Sequence, residues 1–420
     1  MTATVRRLRT RLRPVLLAPL LALLATTACS AGVTDGASST DGSGGAALGT
    51  SGTPDPAATT TPGAATMTSS ATCARRVLAT LSDQQRAGQL FIVGVPTTSE
   101  AASQAGIAAA TRVSAGGYLL LGGSTAPLNQ LRELTDRVSR QLAGQSAGIR
   151  PFVAADQEGG QIQPLRGPGF SPIPSALVQG GWSPAKLQEA AADWAAQLHA
   201  AGVNLAFAPV ADVVATSLGT GNQPIGRYQR QFGSDPQPAG RHVAAVVAGY
   251  QSAGVSATAK HFPGLGRVIG NPDTSAGVVD STTTADDPWL SPFEDATSAG
   301  TRFVMVSSAM YPRIDAEHLA VFSPAVMGLL RNRFHFQGLI VSDDLGNAAQ
   351  VADVPPAQRG VGFLAAGGQV VVVAKPPAVT ETIVGGVLEA MRSDPQFRAA
   401  VDAAALAVLQ VKEGTGLLTC

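Results

Sequence analysis

In Gly338-Leu339-Ile340-Val341-Ser342-Asp343-Asp344-Leu345-Gly346, a short apolar run leads directly into two carboxylates and a glycine. The same pattern recurs in 153–160, where the run ends in Asp156-Gln157-Glu158, and in 258–264, where it ends in Lys260-His261. Continuous apolar runs are typical of parallel strands that are buried on both faces. In a barrel of such strands, the residues at the C-terminal ends converge on one face. We therefore expect these three motifs to lie around one pocket.

Eight segments of this kind are spread along the chain, and alanine-rich helical stretches separate most of them. The clearest helical stretches, Ala185–Ala201 and Arg241–Ala253, are each followed by a glycine, which is favoured where a helix ends. Alternating helices and strands indicate a parallel sheet, and the count of eight predicts an α/β fold closed into a (β/α)8 TIM-type barrel. The predicted strands are Gln89–Val95, Gly117–Gly122, Phe152–Asp156, Val203–Pro209, Ser256–Lys260, Phe303–Ser307, Leu339–Ser342 and Gln369–Val373.

The first 28 residues have the features of a bacterial export signal. An arginine-rich start, Arg6 to Arg13, precedes an apolar stretch, Pro14–Ala25, that is too short to span a bilayer. The stretch leads into Thr26-Thr27-Ala28-Cys29, where small residues before a cysteine resemble a lipoprotein processing site. We predict a signal peptide at residues 1–28 and acylation of Cys29. The protein would then be exported and lipid-anchored on the outer face of the cytoplasmic membrane; ordinary cleavage and secretion is the alternative.

Residues 29–72 consist mainly of Gly, Ser, Thr, Ala and Pro, and such a segment cannot bury enough apolar surface to offset its ordering entropy. We therefore predict a lipidated tether over 29–72 and one catalytic domain over 73–420. The other two cysteines, Cys73 and Cys420, stand at the ends of that domain. Because an exported chain meets an oxidising environment and a barrel brings its first and last strands together, they are a disulfide candidate. Two free thiols are the alternative.

Composition argues against several kinds of partner. Lysine plus arginine balance aspartate plus glutamate at 29 each, and no basic stripe suggests nucleic acid. No apolar run after the signal would span a membrane, so we expect membrane contact through the lipid anchor only, and a monomer. The five histidines form no close set with the spacing of metal ligands. We therefore expect no metal and no cofactor.

The polar residues at the predicted strand ends permit several chemistries. Asp343 can be a nucleophile, a metal ligand or a structural cap, and its neighbour Asp344, which points to the opposite face, can support it. Asp156 can accept hydrogen bonds from two hydroxyl groups of a sugar, while Lys260 and His261 suit a hydroxylated ligand. A lone barrel lysine can also form a Schiff base, as in an aldolase, but nothing else in the chain supports that alternative.

Together these motifs resemble glycoside hydrolase family 3, and within it the single-domain bacterial β-N-acetylglucosaminidases, which remove terminal N-acetylglucosamine, notably from peptidoglycan fragments. The matching stretches follow the family's order, and the resemblance covers roughly Leu90 to Val373. They are Asp156-Gln157-Glu158-Gly159-Gly160, Ala208-Pro209-Val210-Ala211-Asp212-Val213, Arg230-Gln231-Phe232-Gly233, Lys260-His261-Phe262-Pro263-Gly264 and Val341-Ser342-Asp343-Asp344-Leu345. The resemblance implies a retaining exo-glycosidase of the cell envelope that acts on an N-acetylglucosamine-containing glycan.

The resemblance also assigns roles to single residues. Asp343 would be the nucleophile that forms a covalent glycosyl-enzyme, as in retaining glycosidases. The sugar hydroxyls would be bound by Asp156, Arg166, Arg230, Lys260 and His261.

One departure from the family pattern concerns the acid/base. Family members carry an Asp-x-His pair on a mobile loop, with the His as acid/base; here the Asp is Asp273, but the His position holds Ser275. Leu265 also replaces a usual histidine. Because serine cannot protonate a leaving oxygen near neutral pH, Asp273 is the candidate acid/base, with His261 next. We expect the loop 264–277 to be mobile enough to close over the sugar.

Two other functions stay open, and the missing histidine is the reason for the first of them. A non-catalytic sugar-binding lipoprotein would keep the sugar-binding residues and lose turnover. A β-glucosidase-like enzyme of the same family would use many of the same hydroxyl contacts.

Overall fold

The computed structural model describes residues 73–420, in which eight parallel strands form a closed barrel, as predicted. The barrel strands are β1 (Phe91–Pro96), β2 (Gly117–Leu121), β3 (Phe152–Ala155), β4 (Leu205–Ala206), β5 (Ser256–Phe262), β6 (Phe303–Val306), β9 (Leu339–Asp344) and β10 (Val370–Val373). Between β6 and β9, the short strands β7 (Met310–Tyr311) and β8 (Asp315–Leu319) form an antiparallel hairpin that was not predicted. The order around the barrel is β1-β10-β9-β6-β5-β4-β3-β2. The predicted signal peptide, Cys29 lipidation and tether lie outside the described residues.

The strand ends differ from the prediction where they matter for the pocket. Strands β5 and β9 run two residues further than predicted, so the polar pairs at their ends lie within the strands. Strand β4 is shorter than predicted at both ends. Pro209, which was predicted to end it, has no N–H to donate to a neighbouring strand. The pairing of β4 continues through carbonyl groups: Ala208 O accepts from the Thr258 N–H at 2.8 Å, and Pro209 O accepts from the Lys260 N–H at 3.2 Å.

Helices alternate with the barrel strands. The two helical stretches predicted most clearly are helices at Pro184–Ala200 and Pro236–Ser252. Gly202 and Gly254 follow them with φ of 84° and 80°, a left-handed conformation that glycine adopts without steric cost. Within residues 73–420, every helix is too short or too polar to cross a lipid bilayer. The other helices are 73–80, Asp83–Gly88, Glu100–Arg112, Leu128–Gln145, Ala176–Gln179, Ser291–Ser298, Pro324–Asn332, Pro356–Ala365, Thr380–Ser393 and Pro395–Gly414.

The two ends of the described chain meet at the N-terminal end of the barrel strands. Cys73 and Cys420 are joined by a disulfide, with their Cα atoms 6.1 Å apart. Cys73 packs in a small apolar cluster with Ile149, which lies just before β3, and with Leu418. The pocket described below opens at the other end of the strands, so the chain ends and the pocket lie on opposite faces of the barrel.

Lys412 is a fully buried lysine beneath the barrel. Its Nζ donates hydrogen bonds of 2.7 Å to Gln89 Oε1 and to the Gly116 carbonyl, and it lies 4.9 Å from the ring centroid of Phe152. Among residues 73–420, no carboxylate forms an ion pair with it. Burial therefore lowers the pKa of Lys412 from its ordinary value near 10.5 to about 7.

This buried lysine predicts a pH-dependent stability. Between about pH 7 and pH 10 the unfolded chain holds a proton that the folded chain releases, so Lys412 makes the free energy of unfolding rise with pH, by at most about 1.4 kcal/mol per unit. Lys412→Met should remove that rise. Denaturant unfolding of both proteins at pH 7 and pH 9 should show a gain about 2 kcal/mol larger for the wild type. Equal gains in the two proteins would show that Lys412 is not the source.

Candidate active site

A pocket of about 430 Å³ opens at the C-terminal ends of the barrel strands. The three strand-end motifs meet there as predicted, and two loops add further side chains. Of the catalytic and sugar-binding residues proposed from the sequence, all but Arg166 line this pocket. Its acidic and basic side chains are Asp156, Glu158, Arg230, Lys260, His261, Asp273, Asp343, Asp344 and Lys375.

Strands β5 and β9 both contain an irregularity at the pocket. In β5 the register with β6 shifts between Lys260 and Phe262, so His261 is an extra residue. In β9 the register with β10 shifts between Val341 and Asp344. A bulge bends its strand and changes the direction of the side chains, and bulges are frequent beside active sites. The two irregularities thus contribute to the orientation of the polar groups in the pocket.

Four charged side chains form a network on the β3 side of the pocket. Lys260 Nζ lies 2.6 Å from both Asp156 Oδ1 and Glu158 Oε1. The Arg230 guanidinium donates two hydrogen bonds of 2.7 Å to the Glu158 carboxylate. Burial raises the pKa of Glu158, but Arg230 and Lys260 outweigh burial and lower it to about 2. The carboxylate therefore stays ionised.

The same network determines the state of Lys260. Burial lowers its pKa, but Asp156 and Glu158 raise it above its ordinary value, so the amine stays protonated. A Schiff base requires a neutral amine. The two ion pairs therefore argue against the aldolase alternative.

Asp212 and Glu158 are two site carboxylates to which the sequence reasoning assigned no role. The buried Asp212 carboxylate accepts from His261 Nδ1 at 2.7 Å, from the His261 backbone N–H at 3.3 Å and from the Leu265 N–H at 2.7 Å. It thus holds both the end of β5 and the start of the loop that carries Asp273. Both carboxylates lie within stretches matched to the family, and that was the only signal in the sequence.

The contacts of His261 define which of its nitrogens carries the proton. Since a carboxylate only accepts, the bond to Asp212 assigns the hydrogen to Nδ1 of the neutral ring. Nε2 is then an acceptor, and it lies 3.4 Å from Arg230 Nη2. In this tautomer His261 is suited to accept a hydrogen bond, from Arg230 or from a sugar hydroxyl.

Asp343 and Asp344 have different surroundings, as their adjacent positions on a strand predict. The Asp344 carboxylate accepts from the backbone N–H groups of Ala374 and Gly346, each at 2.8 Å, and so supports the ends of β9 and β10. Asp343 is half-buried in the pocket, and its Oδ1 accepts from the Asp344 N–H at 2.9 Å. Burial and the nearby Asp273 raise the pKa of Asp343 to about 6. Asp343 is therefore mostly ionised at neutral pH.

Asp273 lies on the loop after β5 and is exposed at the pocket. Asp273 and Asp343 line the same pocket, and the negative charge of Asp273 helps to raise the pKa of Asp343. The backbone around it forms a turn in which Asn271 O accepts from the N–H groups of Thr274 and Ser275, at 3.0 and 2.8 Å. Asp273 is thus the acidic side chain that this loop brings to the pocket lining. The mobility of the loop stays a prediction.

Arg166 is the proposed sugar-binding residue that the structure does not bring into the pocket. Its guanidinium is exposed and donates to the carbonyl groups of Gln161 and Gln163, the first at 3.1 Å. It lines a neighbouring cavity that shares Asp156 with the main pocket. Among residues 73–420, no group of three or more His, Cys, Asp or Glu side chains is arranged to hold a metal ion.

Known proteins resemble this chain in sequence and in fold. Residues 83–411 match the family described as "Glycosyl hydrolase family 3 N terminal domain". A β-hexosaminidase of Stenotrophomonas maltophilia (strain K279a) is 35% identical over 262 residues, which cover 58% of this chain and 75% of that protein. The crystal structure of a β-N-acetylhexosaminidase from Beutenbergia cavernae DSM 12333 is 42% identical with a TM-score of 0.77, and the match covers 80% of this chain and 99% of that one. A family 3 glycosyl hydrolase from Mycobacterium smegmatis str. MC2 155 is 28% identical with a TM-score of 0.67. The match covers 79% of this chain and 98% of that one. The chain therefore belongs to glycoside hydrolase family 3.

Proposed function

We propose that this enzyme removes terminal β-linked N-acetylglucosamine with retention of configuration at the anomeric carbon. The observation that carries the proposal is the position of Asp343, which lies in one pocket with the network of Asp156, Lys260, Arg230 and His261. A half-buried, mostly ionised carboxylate suits a nucleophile, and a charged hydrogen-bonding wall suits a hydroxylated ring. The named relatives, a β-hexosaminidase and a β-N-acetylhexosaminidase, support N-acetylglucosamine as the sugar.

The reaction would proceed in two displacements. In the first, an Asp343 oxygen bonds to the anomeric carbon while the bond to the leaving oxygen breaks, and Asp273 gives that oxygen its proton. In the second, the Asp273 carboxylate takes a proton from a water molecule, whose oxygen bonds to the anomeric carbon and releases Asp343. Each displacement inverts the anomeric carbon, so the product keeps the configuration of the substrate.

The substrate would be held by the charged wall opposite the nucleophile. Lys260 and Arg230 can donate to sugar oxygens while Asp156 and His261 Nε2 can accept from sugar hydroxyls. Because Glu158 pairs with both cations, it fixes their positions without needing to contact the sugar. A pocket of about 430 Å³ at the end of the barrel suits one terminal ring, which supports action from the end of a glycan.

A panel of aryl β-glycosides tests the proposed specificity. We expect kcat/KM for the N-acetylglucosaminide to exceed that for the glucoside by about 100-fold or more, because the pocket would bind the acetamido group in the transition state. Equal or reversed values would favour the β-glucosidase-like alternative. Calorimetry with N-acetylglucosamine supplies the control: binding without turnover on any substrate would favour the sugar-binding lipoprotein.

We also propose peptidoglycan fragments as the natural substrate and the outer face of the cytoplasmic membrane as the site of action. Both proposals rest on the export signal and on Cys29 at its end. Detergent-phase partitioning of wild type and Cys29→Ala tests the anchor. We expect the wild type in the detergent phase and the variant in the aqueous phase, since acylation supplies the apolar chains. Wild type and variant both in the aqueous phase would contradict the lipoprotein prediction.

A further inference from the structure

The loop that carries Asp273 is bonded to the connection that follows the nucleophile strand. This connection contains a short 3₁₀ turn, Ala349–Val351, after β9. The Ala349 N–H donates to the Asp273 carbonyl at 3.1 Å, and the Gln350 N–H donates to the Pro272 carbonyl at 3.0 Å. Two consecutive backbone groups thus hold Asp273 at its own peptide and at the one before it.

The side chain of Gln350 holds the other end of the same segment. Its Oε1 accepts from the Val278 N–H at 2.9 Å, and its Nε2 donates to the Val278 carbonyl at 3.3 Å. Gln350 is 9% exposed, so these bonds lie largely out of water, where a lost partner is costly. The Val278 carbonyl also accepts from the Met310 N–H at 3.0 Å, which ties this end to the hairpin strand β7.

These bonds fix the backbone on both sides of Asp273 while its carboxyl group stays free in the pocket. Gln350 itself follows β9, the strand that ends in Asp343 and Asp344. The segment that carries the candidate acid/base is therefore fastened to the same piece of chain that carries the candidate nucleophile.

We propose that Gln350 is a positioning residue, which clamps the segment 272–278 so that Asp273 stands beside the nucleophile before substrate binds. The proposal rests on the function proposed above, in which Asp273 protonates the leaving oxygen. In this proposal the acid is placed by a fixed loop, whereas the sequence led us to expect a loop that closes over the sugar. The buried clamp would also compensate for the absence of a histidine at position 275, because a carboxylic acid on a short side chain must be placed closely to transfer a proton.

The test separates proton transfer from every other part of catalysis. We compare kcat/KM for an N-acetylglucosaminide with a poor alkyl leaving group and for one with a dinitrophenyl leaving group, which departs with little protonation. Gln350→Met keeps the length of the side chain and removes both of its hydrogen bonds. It should lower kcat/KM by about tenfold to 100-fold on the alkyl substrate and by less than about threefold on the dinitrophenyl substrate. Gln350→Glu, which keeps an acceptor for the Val278 N–H, should lie between the wild type and Gln350→Met.

The matched control is Gln89→Met, which removes another buried glutamine that binds Lys412 at the far end of the barrel. This variant should change kcat/KM on both substrates by the same factor or leave both values unchanged. If Gln350→Met loses kcat/KM equally on both substrates, Gln350 has only a structural role. If both values are unchanged, the side chain of Gln350 does not position Asp273. Either result overturns the inference. If Gln350→Met does not fold, Gln350→Glu decides, again by comparing the loss of kcat/KM on the alkyl substrate with the loss on the dinitrophenyl substrate.

Asp273→Ala, assayed in parallel, separates this inference from the proposed function. A leaving-group effect is a larger loss of kcat/KM on the alkyl substrate than on the dinitrophenyl substrate. If Asp273→Ala shows this effect and the Gln350 variants do not, the clamp is overturned and the proposed function stands. No leaving-group effect in Asp273→Ala overturns both the acid/base assignment and the clamp.

Discussion

Asp343→Asn is expected to lower kcat on an aryl β-N-acetylglucosaminide by at least about 1,000-fold. The amide cannot form the ester with the anomeric carbon, so the covalent path is lost and not merely one hydrogen bond. Steady-state assays on folded protein, checked by thermal melting, measure the effect. In the wild type, kcat/KM should fall as the pH drops through about 6, because Asp343 must be ionised to attack and its pKa is raised to about 6.

Asp353→Asn is the matched control for this substitution. Asp353 is exposed on the same connection after β9, so the variant removes one negative charge without touching the pocket. Its activity should stay within about twofold of the wild type, as for most surface substitutions. The configuration of the first-formed product, read by NMR, gives a separate check: the β anomer is expected from a covalent intermediate. Unchanged activity of Asp343→Asn, or release of the α anomer, would defeat the nucleophile assignment.

Asp273→Ala is expected to show the second large effect, and its size should depend on the leaving group. On alkyl glycosides and natural fragments, kcat/KM should fall by about 100-fold to 10,000-fold, which is the usual contribution of general acid–base catalysis. On aryl glycosides kcat/KM should fall much less, since their leaving groups depart with little protonation. Added azide should partly restore turnover, because this anion attacks the glycosyl-enzyme without needing a base. Rates on both classes of substrate, with and without azide, give the measurement.

Wild-type behaviour of Asp273→Ala on natural substrates would place the acid/base elsewhere. His261 is the histidine in the pocket lining, but Asp212 and Arg230 hold it in a tautomer whose pocket-facing nitrogen accepts. A role for His261 as acid would therefore require rearrangement of that pair when substrate binds. This is why the structure favours Asp273.

The sequence was most informative about the barrel, and the reason is burial. Strands covered on both faces read as apolar runs such as Leu339–Val341, so their number and order could be predicted without knowledge of contacts. Strand ends were less certain, because Lys260-His261 and Asp343-Asp344 are polar residues within strands, and their polarity serves the pocket.

The pairings inside the site could not be predicted in the same way. Arg230 and Glu158 are 72 residues apart, and Lys260 and Asp156 are 104 apart, so no local spacing joins them. Glu158 was visible two places after Asp156, but a charged residue after a strand does not show which neighbour it faces. Arg166 illustrates the converse: the resemblance assigned it to the sugar, yet its guanidinium binds carbonyl groups of its own loop.

The meeting of the chain ends at Cys73 and Cys420 has a consequence for the approach of large substrates. A point of attachment on the N-terminal side would leave the pocket mouth unobstructed, because the disulfide and the pocket lie at opposite ends of the strands. A glycan of any length could then offer its terminal sugar without steric hindrance from the anchoring side. On the proposed function, the limit on substrate size would be set by the depth of the pocket and not by the bulk of the polymer behind it.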